Sequence, residues 1–335
     1  MDALDSIRQL YPTGERSSLD VCKIKGDAST RRYFRVTAPH GTAIACIDPA
    51  FRSTDPESYP FLIVHDLLAS YGIRVPRVYE KSGESGALLL EDCGDLMLQD
   101  EIPQLDADQL SARYRQIIDL LIKIQSIRPA EKAQESAIPF SLSFDHEKLM
   151  FEFDFFIEHA LKGYFAERLD EQAIEKLRAE FLAITDLLVL PEHFVLNHRD
   201  FHCRNIMLFR NEPVIIDFQD ARMGLPQYDA VSLLRDSYVQ LDVGLLDELK
   251  HYHFDQIRQQ SLTSMSWQEY LRLFDLMAFQ RNVKAVGTFC YQTSVVGNST
   301  FEANIAPTLG YLRDYIEARP ELATAGKLLE PLISR

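Results

Sequence analysis

The sequence predicts an α+β chain in two parts, a small, mainly β part over residues 1–92 and a larger helical part over residues 93–335. Three observations predict it. Short strand-like runs separated by turn residues crowd the first ninety positions. Long runs with apolar residues every three or four positions fill most of the remaining chain. A stretch reading strand, loop, strand, turn, strand over residues 195–218 interrupts the helices and carries a dense set of polar residues.

Residues 21–25 make a first strand, and Gly26-Asp27-Ala28-Ser29-Thr30 a turn of small residues. Tyr33-Phe34-Arg35-Val36 alternates as a strand does, and residues 42–47 follow the turn at His40-Gly41 as another. Residues 61–70 read as a helix, with Leu62, His65, Leu68 and Ala69 spaced by three or four, ending near Gly72. Residues 75–79 are extended. The apolar run at residues 86–90 suits a buried strand, and Glu91-Asp92-Cys93-Gly94-Asp95 suits a turn or linker. Helices are then expected over residues 106–127, 144–165 and 169–190, the last broken by Pro191, with a loop over 129–139. Met207-Leu208-Phe209 and Val214-Ile215-Ile216 flank a short turn and form a plausible hairpin. Further helices are expected over 228–238, 267–287 and 306–318.

Apolar residues are 46% of the chain and charged residues 25%, the balance of a globular protein. No apolar run is long enough for a membrane-spanning helix, and the first residues lack a basic-then-apolar leader, so a cytoplasmic location and no membrane partner are expected. Lys and Arg number 35 against 50 Asp and Glu, a net charge of −15. That surface repels nucleic acid, which is not an expected partner. Nothing calls for a partner helix, so a monomer is expected. The cysteines, Cys22, Cys46, Cys93, Cys203 and Cys290, have no zinc-site spacing and read as reduced thiols. Cys203, in the polar loop, would be the reactive one if exposed.

Asp200, Asn205 and Asp217 form the most informative constellation. Transfer of a phosphoryl group from ATP calls for magnesium ligands and for a group that orients the attacking hydroxyl. Magnesium prefers carboxylate and amide oxygens. Asn205 lies five residues after Asp200, within one loop, and Asp217 follows the apolar run Val214-Ile215-Ile216. The run His198-Arg199-Asp200 through Asn205, then Asp217-Phe218, resembles the kinase-like fold and especially the aminoglycoside phosphotransferase superfamily. That resemblance implies a bilobal protein-kinase-like fold with ATP and Mg2+ as cofactors. It makes Asp200 the catalytic aspartate, Asn205 and Asp217 the metal ligands, and His198 a support for the loop. It also makes 88–92 the hinge, with Glu91 near the nucleotide. Gln219 replaces the glycine expected after Asp217-Phe218 in protein kinases, and no Ala-Pro-Glu follows, which favours a small-molecule acceptor. Asp220 either helps with metal or substrate or organises its turn. Asp229 reads as a brace of the loop or a helix cap. Arg235-Asp236 reads as a surface ion pair, with either residue a candidate to face the acceptor.

The turn carrying Ser29, Thr30, Arg31 and Arg32 either cradles phosphates or forms a plain hairpin turn. The third strand, Thr42-Ala43-Ile44-Ala45-Cys46-Ile47, lacks the lysine that kinase-like enzymes place there, leaving Lys25, Arg31 and Arg32 as candidate cations. With Arg281-Asn282-Val283-Lys284-Ala285-Val286-Gly287-Thr288-Phe289, these features resemble the bacterial cell-wall sugar kinases that act on the anomeric hydroxyl of N-acetylmuramate and N-acetylglucosamine in peptidoglycan recycling. The resemblance implies an amino-sugar substrate: His202 and Arg204 either contact sugar or phosphate or are structural, and Arg204, Arg281 and Lys284 are candidate cations for the lactyl carboxylate of N-acetylmuramate. Phe151, Phe153, Phe155 and Phe156 are expected either in the core or along an acceptor pocket, with Glu152 and Asp154 open to sugar hydroxyls. The alternatives are a kinase for an aminoglycoside, choline or homoserine, or a non-catalytic nucleotide-binding module.

Overall fold

The computed structural model describes residues 2–24, 30–130, 137–166 and 170–334. Nine strands are described: β1 (Asp20–Lys23), β2 (Arg32–Ala38), β3 (Gly41–Ile47), β4 (Val78–Ser82), β5 (Ala87–Glu91), β6 (Val195–Asn197), β7 (Ile206–Phe209), β8 (Glu212–Ile215) and β9 (Arg222–Gly224). The described α-helices are α1 (Ala3–Gln9), α2 (Pro49–Arg52), α3 (Pro60–Ser70), α4 (Leu98–Glu101), α5 (Ala107–Gln125), α6 (His146–Phe156), α7 (Glu171–Leu188), α8 (Gln227–Leu234), α9 (Val243–Gln259), α10 (Trp267–Tyr291), α11 (Ile305–Ala318) and α12 (Ala323–Ile333). The fold is mixed α+β, with a sheet in the N-terminal region and helices in the C-terminal region. Contacts divide it into two units, one reaching Leu98 and adding Asn205–Gln219, the other taking Gln99–Arg204 and the chain from Asp220 on.

The first unit holds an antiparallel sheet in the order β1-β2-β3-β5-β4. Alternation sets its faces. Phe34 and Val36 of β2, Ala43, Ala45 and Ile47 of β3, and Ala87 and Leu89 of β5 join Ala3 and Ile7 of α1 in one core. Ala87 to Leu90 are all buried, which explains the unbroken apolar run of β5. The extended segment expected at 75–79 becomes a strand only from Val78. Before that, the Arg74 and Arg77 carbonyls accept from Ile215 and Glu91. β7 and β8 form the expected hairpin, in the register Ile206↔Ile215 to Phe209↔Glu212. Its two-residue loop, Arg210 and Asn211, has φ of 54° and 66°, a pairing of left-handed residues that suits the twist of a tight hairpin.

This hairpin belongs to the first unit. Leu208 donates to the Leu96 carbonyl at 2.8 Å, and Met97 bridges Met207. Residues 93–98 and 205–219 fall in the same contact unit as the sheet, and that unit reaches Leu98.

In the second unit, α5 opens with a reciprocal cap between Asp106 and Gln109. The helix expected over 144–165 starts only at His146, capped by Asp145. Phe144 instead donates its N–H to the Met223 carbonyl at 2.9 Å and stacks on Tyr228, ring centroids 3.7 Å apart. Beyond Phe156 the chain widens into a π-helix, Ile157–Tyr164. Phe153 and Phe156 are core, Phe153 stacking on Phe181 at 4.0 Å, whereas Phe151 is 60% exposed. The helix expected to reach residue 238 ends at Leu234, because Asp236 turns its carboxylate onto the Cys203 and Tyr238 N–H groups. Among the described residues, no helix is long and apolar enough to cross a membrane.

α10 meets α6 at Gly287, where a Cβ would lie 2.9 Å from the Phe156 Cα. Backbone on one side and a helix on the other leave nothing to yield. Gly287→Val is therefore expected to lower stability by ~1–3 kcal/mol, the range for overpacking, despite valine's better helix propensity. Thermal denaturation checks it, and an unchanged melting temperature would contradict the close approach.

Candidate active site

The loop after β6 carries the run from His198 to Arg204. His198 and Arg199 donate their N–H groups to the two oxygens of Asp229, at 2.5 and 3.0 Å. Asp229 is fully buried in the first turn of α8, and burial pushes its acid up to about 7, against the pull of Arg281 and those two donors. It is a brace of the loop, one of the two roles open to it. Asp200 N–H donates to His198 Nδ1 at 3.3 Å, so His198 supports the loop from inside. Arg281, on α10, donates to the Arg199 carbonyl at 3.0 Å and lays its guanidinium over the Tyr228 ring at 4.2 Å. Arg199 has φ of 86°, a backbone state rarely held by a non-glycine residue without such support.

Asp200 faces a pocket of about 600 Å³, counting its open mouth, whose polar lining includes His202, Ser232, Asn282, Lys284 and Thr288. Lys284 Nζ lies 3.3 Å from Asp200 Oδ1, and Arg199 Nε 3.8 Å from Oδ2. Burial alone would raise the Asp200 pKa. Lys284, Arg199 and Arg281 outweigh it and hold the carboxyl well below its usual value. Asp200 is thus an ionised carboxylate at the wall of a polar pocket, equipped to orient a hydroxyl.

Of the expected acceptor contacts, His202 lines the pocket and Arg281 does so while committed to the loop. Arg204 is not among the lining residues and stacks on Tyr238 and Phe301, at 4.7 and 5.7 Å. Asp220 pairs with Arg199 at 2.7 Å. Arg235 and Asp236 do not form a surface ion pair. Arg235 reaches Asp314 and Tyr315, and Asp236 is 3% exposed and spent on backbone. Glu152 is buried against Gln280, and Asp154 pairs with Arg178. Cys203 is fully buried, and burial with nearby Asp236 pushes its thiol far up, so it is not an exposed, reactive cysteine.

The first unit carries the other half of the motif. Ile216 N–H donates to the Asn205 carbonyl at 3.1 Å, tying Asn205 to the segment that ends in Asp217. Phe218 packs on Phe61 and His65 of α3, ring centroids 5.0 and 6.2 Å away, and Asp217 has φ of 63°. Its carboxylate is half exposed, with Oδ1 3.0 Å from Gln219 Nε2. Among the described residues no group of three or more His, Cys, Asp or Glu gathers to hold a metal. An amide oxygen and a carboxylate are donors of the kind magnesium prefers and zinc does not.

Arg31, one of the cations expected in place of the third-strand lysine, has two carboxylates beside it. Its Nε donates to Asp48 at 2.9 Å, and its Nη1 lies 3.8 Å from Asp217 Oδ1. Asp48, just past β3, is 3% exposed and also accepts from the Tyr59 hydroxyl and the Ala50 N–H. Burial would raise its pKa, but Tyr59, Arg31 and Ala50 lower it. Thr30 and Arg32 are exposed, and Ser29, like Lys25, falls outside the described residues. Glu91 spends its carboxylate on Arg74, at 2.7 Å, and on the Arg77 N–H. Asp48, Tyr59 and Asp236 carry no motif and escape a reading of the sequence. Lys284 is named in the sequence only as a candidate cation of the 281–289 match, and its place beside Asp200 comes from the fold.

A model of the phosphotransferase enzyme family matches residues 20–262. The N-acetylmuramate/N-acetylglucosamine kinase of Pseudomonas aeruginosa is 29% identical over 323 residues, 95% of this chain and 90% of the relative. The protein of that name from Neisseria meningitidis serogroup B is 29% identical over 333 residues, 98% and 94% of the two chains. The fold is shared with a Plasmodium vivax ethanolamine kinase at a TM-score of 0.65 and 14% identity, over 93% of this chain and 88% of that one.

Proposed function

The chain belongs to the phosphotransferase enzyme family, and on that premise we propose that it is an ATP- and Mg2+-dependent kinase for the C1 hydroxyl of N-acetylmuramate and N-acetylglucosamine. The observation that carries the reading is the Asp200 carboxylate, held ionised at the wall of a polar pocket. The kinases of Pseudomonas aeruginosa and Neisseria meningitidis, similar over nearly the whole of this chain, supply the acceptor class. The serine, threonine, asparagine and histidine side chains of the pocket offer hydrogen-bond donors and acceptors to a hydroxyl-rich molecule.

In this reading Asp200 accepts a hydrogen bond from the C1 hydroxyl and takes up its proton. The sugar oxygen forms a bond to the γ-phosphorus, the bond to the bridging oxygen breaks, and ADP leaves with the electron pair. Asn205 and Asp217 hold magnesium, which offsets charge on the phosphoryl oxygens when bound. Arg31, anchored by Asp48, supplies the cation for the nucleotide phosphates. His202 contacts the acceptor, while Arg204 and Glu91 serve the scaffold. The product is a sugar 1-phosphate, made in the cytoplasm by a monomer during peptidoglycan recycling.

The test is a panel with ATP and Mg2+: both amino sugars, their 1-O-methyl glycosides, choline, homoserine and an aminoglycoside. Phosphorus NMR should find a phosphate on C1 of the free sugars and no reaction with the methyl glycosides. Turnover confined to choline, homoserine or the antibiotic would overturn the acceptor.

A further inference from the structure

Three basic side chains border the pocket beside Asp200: Arg235, Arg281 and Lys284. Two are committed elsewhere. Arg235 donates to the Tyr315 hydroxyl at 2.7 Å and to Asp314 at 2.5 Å. Arg281 is spent on the Arg199 carbonyl and the Tyr228 ring. Lys284 is different. Its side chain is 19% exposed, and among the described residues its ammonium meets Asp200 Oδ1, at 3.3 Å. An ammonium carries three donors, so one acceptor leaves capacity on the pocket side.

The surroundings push in the same direction. Lys148, Arg199 and Arg222 also stand close enough to interact with one another or with Lys284. Lys148 has its pKa lowered by burial, opposed by Glu152 and then reinforced by Arg199, Arg222 and Lys284. Carboxylates stand among them, Asp220 paired with Arg199 at 2.7 Å and Glu152 3.6 Å from Lys148, but the charges acting on Asp200 itself are Lys284, Arg199 and Arg281. Such a field favours the arrival of further negative charge.

We propose that Lys284 is a phosphoryl-binding residue of the acceptor site, paired with Asp200 in the free protein and passing to the phosphate oxygens of the product ester. The acceptor's identity in this statement rests on the sugar-kinase reading. The exchange balances. As the acceptor oxygen bonds to phosphorus, its proton passes to Asp200, whose charge disappears. Lys284 is then left without its counter-charge while the transferred phosphoryl oxygens stand on the oxygen that Asp200 addressed. An ammonium on a flexible stem can follow that charge over a short distance, which the fixed guanidinium of Arg281 cannot.

Binding measured by calorimetry without nucleotide tests this apart from turnover. The ligands are an acceptor sugar that the wild-type protein turns over and the 1-phosphate of that sugar. Lys284→Met should weaken the ester by ~10–100-fold, the scale of a charge-assisted hydrogen bond, and leave the unphosphorylated sugar within about threefold. Lys284→Arg should recover most of the ester affinity, and kcat of the Met variant should fall with KM little changed. Equal loss of sugar and ester would make Lys284 a structural brace and overturn the proposal. So would a loss confined to N-acetylmuramate against N-acetylglucosamine, which would mark recognition of the lactyl carboxylate. If the panel finds another acceptor, its own phosphate ester is used, so failure of the acceptor reading and failure of the Lys284 role are separate results.

Discussion

Asp200→Asn should lower kcat by ~10³-fold or more, about 4 kcal/mol of transition-state stabilisation, while leaving acceptor binding nearly unchanged. The amide keeps the shape and one acceptor oxygen, so the hydroxyl can still be oriented. It cannot take up the proton. Wild-type Asp200 is held well below its ordinary pKa of 3.8 by Lys284, Arg199 and Arg281 against its burial, so it is ionised throughout the range from pH 5 to 8. A fall in activity on the acid side of that window must come from another group. The substitution also removes the negative charge that these cations surround. A carboxylate with a depressed pKa contributes stability above its unfolded pKa, and that contribution disappears as pH falls through the folded value. The variant should therefore melt below the wild type at neutral pH, and the two curves should converge in acid. Steady-state kinetics with calorimetric acceptor binding check the first claim. Retention of more than a tenth of wild-type kcat by a clean preparation would remove Asp200 from the chemistry.

The parts of this site that lie together in sequence were legible there. His198 to Asn205 and Asp217-Phe218 stand in one short stretch, and the loop and the hairpin are read from it, whereas Asp229 reads from the sequence as either a brace or a helix cap. The sheet was legible because Phe34, Val36, Ala43, Ala45 and Ile47 alternate inward. The contacts that the fold brings in from afar could not be read. Lys284 reaches Asp200 across 84 positions, from a helix whose lysine looks like any solvated one. Arg31 is chosen over Arg32 only because Asp48, seventeen positions on, is buried beside it and held by Tyr59. Arg235 and Asp236 illustrate the opposite error. Neighbouring opposite charges suggested each other as partners, yet the helix ends just before them and sends them to Asp314 and to the loop backbone. Phe144 looked like the start of a helix because aromatic residues follow it. Its N–H instead pairs with Met223, and Asp145 caps the helix one residue later.

Asp217→Asn should raise the Mg2+ concentration needed for half-maximal turnover and lower kcat at saturating metal by at least ~10²-fold. The substitution is informative because the backbone should survive it. Asp217 sits at φ 63°, a left-handed state in which asparagine is among the best-tolerated side chains. Its place is fixed by neighbours that do not depend on the carboxylate: Ile216 bonded to Asn205, and Phe218 packed on Phe61 and His65. The loss thus isolates the charge, which a hard cation prefers over an amide oxygen. Arg31 provides the contrast. Its guanidinium is 3.8 Å from Asp217 and anchored by Asp48, so Arg31→Met should weaken ATP binding in the presence or absence of metal. Asp217→Asn should weaken only the metal-dependent part, because it removes a repulsive neighbour of the phosphates when no metal is bound. Calorimetry of ATP with Mg2+ and with EDTA separates the two. Wild-type metal dependence together with wild-type kcat in the Asp217 variant would mean that the ion is held by other residues, and the roles given to both Asn205 and Asp217 would have to be withdrawn.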